Sequence, residues 1–154
     1  MGTQADYRGI EEQIKPFFKH PVGVVGLDTP LHPIDYELKS PPYDFGSPTR
    51  WSGYPIFLIR YVRDEGFLSI EEAAQKCAVL PAKIHNIKDR GVIKVGSYAD
   101  IVLINLPRLK VVGDVVDPRH YPEGIEYVIV NGSIVAEKGK HMGAYPGMVL
   151  TRQS

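Results

Sequence analysis

Residues 125–137 read IEYVIVNGSIVAE. Two runs rich in β-branched residues, 125–130 and 133–137, are separated only by Asn131-Gly132. Asn-Gly supplies the two positive φ angles of a type I′ turn, whose twist matches that of paired strands. The stretch therefore predicts a tight antiparallel hairpin. Working backward, GVIKVGSYADIVLINL (91–106) and VVGDVV (111–116) have the same texture, with turns expected at Gly96 and Ser97. All of this β signal lies after residue 90. Strands segregated after helices point to two substructures rather than one repeating βα unit.

Ahead of residue 90 the signal is helical. DYRGIEEQIKPFFKH (6–20) spaces Ile10, Ile14, Phe17 and Phe18 as one helix face would, and Pro16 predicts a break into two short pieces. His20-Pro21 ends it. YPIFLIRYVRDEG (54–66) predicts a second helix, with Ile56, Ile59, Tyr61 and Val62 inward and Gly66 as its stop. Ser69 then opens Ser-Ile-Glu-Glu, a capping box in which Ser69 caps the next helix and Glu72 reaches back. LPAKIHNI adds one more short helix or turn, with Pro81 near its first position.

Between the first two helices lies VGVVGLDTP (22–30). Its apolar residues do not alternate, as expected of a parallel strand covered on both faces, and the run ends on a lone carboxylate, Asp28. A carboxylate at the end of a buried strand needs backbone N–H groups, a cation or a metal to balance it. The residues alone leave two readings: an Asx-type turn with Thr29-Pro30, or a functional acid where α/β folds gather their ligands. Residues 28–50 carry Pro30, Pro33, Pro41, Pro42 and Pro48 with no clear period, a long loop that is either functional or a crossing linker.

The totals exclude several classes. The chain has 154 residues, 44% apolar and 23% charged, with no formal net charge. That is an ordinary globular composition without the basic excess of a nucleic-acid or anionic-membrane binder. One cysteine, Cys77, rules out an intrachain disulfide and reads as a small buried hydrophobe. No apolar run is long enough to span a bilayer, and MGTQADYRG has no signal core, so a cytoplasmic location is expected. The five histidines, His20, His32, His85, His120 and His141, form no HxH pair, and HExxH, CxxC, GxSxG, Walker and GxGxxG motifs are absent. His32, four residues past Asp28, stands out among them. Arg50-Trp51 could clamp an anionic ligand or be a solvated loop pair. Asp89-Arg90-Gly91 reads as a turn with a local ion pair, and Asp100 as a structural hydrogen-bond acceptor.

The stretch LPAKIHNIKDRGVIKVGSYADIVLINL (80–106) resembles the C-terminal signature of the amidohydrolase superfamily, through Pro81-Ala82, Arg90-Gly91, Gly96 and Ala99-Asp100. GIEYVIVNGSIVAEKGKHMGAYPGMVL (124–150) is similar to that superfamily's closing hairpin, and Tyr145-Pro146-Gly147 resembles one branch, the N-acyl-D-amino-acid deacylases or D-aminoacylases. His20-Pro21 and Gly26-Leu27-Asp28-Thr29 also match that branch, around its last barrel strand. The resemblance covers about residues 10–151. It implies an α/β plus β fold: the last strand and helices of a TIM-like barrel in residues 1–90, then the C-terminal part of a small β-sandwich in 91–154.

It also implies a metal-dependent hydrolase of non-peptide C–N bonds. Asp28 would be metal ligand and general base, with a divalent metal, zinc in the complete enzyme, and a small N-acyl amine or amino-acid substrate. The branch's His-Pro-Arg, whose Arg binds the substrate carboxylate, falls on Ser47-Pro48-Thr49, with Arg50 one place later as its substitute after a local shift. The superfamily's first metal ligands, an HxH pair, have no counterpart here, and eight barrel strands need roughly 200 residues or more. The expectation is a C-terminal segment, not active alone, that works with a complementary N-terminal polypeptide or self-associates, without nucleic acid or membrane. The alternative is a stand-alone, non-catalytic structural or partner-binding module.

Overall fold

The computed structural model describes residues 8–29 and 48–151. The greater part of the proline-rich loop, with His32 and Ser47, lies outside the described residues. α1 (Arg8–Lys19) is a single helix of 12 residues that runs through Pro16. Tertiary contact supports the half beyond the proline: the Phe18 ring meets Phe57 and Tyr61 edge-on, at centroid distances of 5.3 and 4.8 Å. Phe17, expected inward, is exposed.

α2 (Thr49–Phe57) kinks at Ser52, where φ is −138° and ψ 21°, and continues as π-helical turns over Leu58–Asp64. Gly66 ends it at a φ of +58°, a conformation glycine adopts without Cβ strain. Ser69 caps α3 (Ile70–Ala74) as the sequence predicts. Its hydroxyl accepts from the Glu72 N–H at 3.1 Å, and its own N–H donates to the Glu72 carboxylate at 2.8 Å. A π-helical turn, Gln75–Val79, leads into α4 (Leu80–Ile84). The core of this half is Val25, Phe57, Tyr61, Leu68 and Ala73. Among the described residues, no helix is long and apolar enough to cross a membrane.

The second half is a four-stranded antiparallel sheet in the order β1 (Ile101–Ile104), β2 (Ile125–Val130), β3 (Ser133–Glu137), β4 (Lys140–His141). The β2–β3 hairpin is as expected: Val130 pairs with Ser133, and the turn residues Asn131 and Gly132 have φ of 47° and 81°. Register shifts occur between Leu103 and Ile104 and between Val128 and Ile129.

Two stretches expected as strands are not. Residues 91–98 are turns and extended chain, with Gly91 and Gly96 at positive φ. Residues 111–116 add only an adjacent bridge, Lys110 to Glu123. There the Asp114 carboxylate accepts the Val116 and Asp117 N–H groups, both at 2.8 Å, and this local bonding takes donors that a ladder would need. The halves meet where Arg63 donates to the Leu109 carbonyl at 2.6 Å and Gly91 lies against the backbone of Ala78.

Candidate functional site

The segment that carries Asp28 is an extended chain without a sheet partner among the described residues, in place of the expected strand. Val22 and Val24 are exposed, and Val25 alone enters the core. With no parallel neighbour beside it, the segment is fixed from the helices. The Lys76 ammonium, on a nearly buried side chain, donates to the His20 carbonyl at 2.9 Å and to the Gly23 carbonyl at 3.3 Å. The Val25 N–H donates to the Lys76 carbonyl at 3.2 Å. Gly23 admits no side chain, since a Cβ there would lie 2.1 Å from the Phe17 carbonyl oxygen.

α2 then receives the segment. The Tyr54 hydroxyl reaches the Val25 carbonyl at 3.5 Å, and Leu27 seats on Gly53, whose added Cβ would come within 2.5 Å of a Leu27 methyl. Burial, with the neighbouring Cys77 thiol contributing less, raises the Tyr54 hydroxyl pKa. Asp28, the next residue after Leu27, is exposed. Arg50, three residues before Gly53 in the first turn of α2, is half-buried. The fold thus brings the Asp28 segment beside the helix that carries Arg50. Lys76 and Gly53, which set this approach, were not singled out by the sequence reading. A glycine within the helical stretch TRWSGYPIF was the available signal.

The other candidates separate. Arg90 does not pair with adjacent Asp89, which sits at a φ of +58°; its guanidinium pairs with Asp100. The same guanidinium donates to the Asn131 side-chain carbonyl at 2.6 Å and lies 4.0 Å from the centre of the Tyr98 ring. Asp100 also accepts the Asn131 N–H at 2.8 Å, and the Asn131 amide donates to the Pro146 carbonyl at 2.6 Å. Partial burial works against ionisation of Asp100, but the Asn131 N–H and Arg90 outweigh it and lower its pKa. Asp100 is therefore the structural acceptor it was expected to be. Together these bonds tie the turn before the sheet, the start of β1, the hairpin turn and the C-terminal stretch.

His120 contacts Asp117 at 3.1 Å, and His141 accepts the Gly143 N–H at 3.0 Å. Among the described residues, no three His, Cys, Asp or Glu side chains converge as a metal site. Cys77 is largely packed away, and burial pushes its thiol up to about 11. It lines an apolar cleft of about 780 Å³ between the helices and the sheet, with Trp51, Leu58, Ala74, Val102 and Ile104.

Comparison with known proteins bears on these elements. Residues 43–136 match the model of the Amidohydrolase family. The chain is 30% identical over 147 residues to an N-acyl-D-glutamate deacylase of Alcaligenes xylosoxydans xylosoxydans, covering 94% of this chain and 27% of that protein. A crystal structure of D-aminoacylase superposes with a TM-score of 0.68 at 31% identity, over 73% of this chain and 24% of the other. The N-acyl-D-glutamate deacylase of Bordetella bronchiseptica, solved with zinc and a phosphonate mimic of the tetrahedral intermediate, gives a TM-score of 0.66 at 28% identity, over 83% and 26%. The chain thus spans about a quarter of the length of the relatives it matches.

Proposed function

The chain belongs to the amidohydrolase family, and from that premise we propose that it forms the C-terminal segment of a metal-dependent hydrolase of N-acyl amino acids, of the D-aminoacylase kind. The observation that carries the reading is the placement of the Asp28 segment, anchored by Lys76 and seated on α2 beside the turn that bears Arg50. In the proposed reaction the Asp28 carboxylate accepts a proton from the attacking water and delivers it to the leaving amine. Arg50 binds the substrate carboxylate by a charge-assisted hydrogen bond.

The described residues do not by themselves compose a metal centre, since Asp28 has no two further ligating side chains converging on it among them. No step is therefore derived through a metal. The remaining ligands, and the rest of a TIM-like barrel, are assigned to a complementary N-terminal polypeptide. A second reading, a stand-alone partner-binding module, draws support from the open apolar cleft, since large exposed apolar patches mark interaction surfaces.

A graft decides between them. Residues 10–151 replace the matching part of the Alcaligenes N-acyl-D-glutamate deacylase, and zinc-dependent hydrolysis of N-acetyl-D-amino acids is measured. Turnover that is lost with Asp28→Asn, and a raised KM with Arg50→Ala, are expected. A folded graft whose turnover survives Asp28→Asn would refute the role of that residue. Chelator-sensitive hydrolysis by the 154-residue chain alone would refute the need for a second polypeptide.

A further inference from the structure

The two edges of the sheet are unlike. β4 is two residues long and begins with Lys140, the short and charged kind of edge that resists pairing. β1 is Ile-Val-Leu-Ile, and Val102, Leu103 and Ile104 are 50%, 44% and 37% exposed. Among the described residues its strand partner is β2 alone, so its outer edge presents unpaired backbone groups. Val102 and Ile104 also form one wall of the apolar cleft.

We propose that this edge is a self-association surface, on which a second copy of the chain pairs its β1 antiparallel to the first about a twofold axis centred on Leu103. Residues opposite each other in an antiparallel pair share a face. A twofold axis therefore has to pass through a residue pair of the same number, at Val102 or at Leu103. Centring on Val102 would set Ile104 against the Asp100 carboxylate of the second copy. Centring on Leu103 sets Val102 opposite Ile104, so the two cleft walls join into one apolar surface across the new ladder.

Charge complementarity favours the same occupant. Asp100 precedes β1, and Arg108 and Lys110 follow it, all exposed. Antiparallel pairing brings the acidic end of one strand toward the basic end of the other, twice. The chain's zero net charge adds no long-range repulsion between copies. A four-residue ladder alone falls short of the roughly 1,600 Å² of a standard interface, so the cleft walls are part of the contact. Isologous twofold dimers are the commonest soluble assembly.

The proposal concerns association and is read without hydrolysis or metal, so its failure would leave the functional reading standing. Light scattering on size-separated samples over roughly 1–100 µM is expected to show a dimer of the unmodified chain. Leu103→Lys, which opposes two like charges across the axis, is expected to raise Kd about 100-fold or more. Ile134→Lys, the same change at a 45% exposed position on β3, is expected to leave it unchanged. Should Leu103→Lys disturb folding by circular dichroism, Leu103→Cys in a Cys77→Ser background is expected to oxidise to a covalent dimer. A monomer throughout, assemblies larger than a dimer, a dimer insensitive to Leu103→Lys, equal loss with Ile134→Lys, or no cross-linking would each overturn it. So would stoichiometric capture of a different polypeptide in place of the second copy.

Discussion

Replacing Arg90 by alanine should destabilise the chain by about 3 kcal/mol. Removing one partner of a fully buried ion pair costs roughly 3–5 kcal/mol, because the other charge is stranded. The Arg90 side chain is only 8% exposed, but Asp100 is 32% exposed and regains water, which puts the loss near the bottom of that range, at about 2 kcal/mol. The Asn131 side-chain carbonyl loses a charged donor at 2.6 Å and is itself half-buried, which adds about 1 kcal/mol. Arg90→Lys keeps the charge, but a single ammonium cannot fork to Asp100 and Asn131 while lying flat on Tyr98, so about half the loss should remain. Urea unfolding followed by circular dichroism measures both, and a double-mutant cycle with Asp100→Asn should return a coupling of about 1–2 kcal/mol. The pH arm has a definite sign. Burial opposes ionisation of Asp100, but the Asn131 N–H and Arg90 prevail and lower its pKa on folding. Its stabilisation is therefore complete above the ordinary aspartate value of about 4 and is lost as pH falls through the lower folded value. Asp100→Asn should flatten that acid slope. An Arg90→Ala cost within about 0.5 kcal/mol of zero, the scale of an ordinary surface substitution, or strict additivity with Asp100→Asn, would refute the reasoning.

Further outcomes follow from the same coordinates. Ser69→Ala should cost about 1 kcal/mol through loss of the helix cap, read as a lower urea midpoint with unchanged slope. Gly91→Ala should cost about 3 kcal/mol, from a φ of +77° and a Cβ placed 2.8 Å from the Ala78 carbonyl oxygen, against about 1 kcal/mol for Gly66→Ala, where nothing lies within 4 Å. With its thiol near 11, Cys77 should be about 0.1% thiolate at pH 8, and iodoacetamide should label it at least ~100-fold more slowly in the folded chain than in urea.

Local chemistry proved the most legible part of the sequence. Ser69 with Glu72, and Asn131 with Gly132, each specify a geometry within a few residues, and the fold contains both. The boundary between helical and β texture was readable for the same reason. Two kinds of information were not local. Residues 111–116 have the composition of a strand, but Asp114 satisfies its neighbours' N–H groups before any ladder can. The run 22–27 has the composition of a buried strand, but burial requires neighbours, and the described residues supply helices on one side only. At the candidate site, Asp28 and Arg50 were legible as residue types, while the parts that position them were not. A lysine in mid-helix and a glycine in a kinked one carry no mark of what they touch. Arg90 was misread toward its sequence neighbour Asp89, because its partner, Asp100, comes near only once the intervening turns have formed.

Trp51, the chain's one tryptophan, lines the apolar cleft, and its indole nitrogen is shielded from solvent with no hydrogen-bond partner among the described residues. The protein therefore contains its own optical gauge. Emission from that ring should sit at short wavelength while the cleft stays dry and move to the red when water enters, so a fluorimeter can follow the opening of the boundary between helices and sheet without any added label.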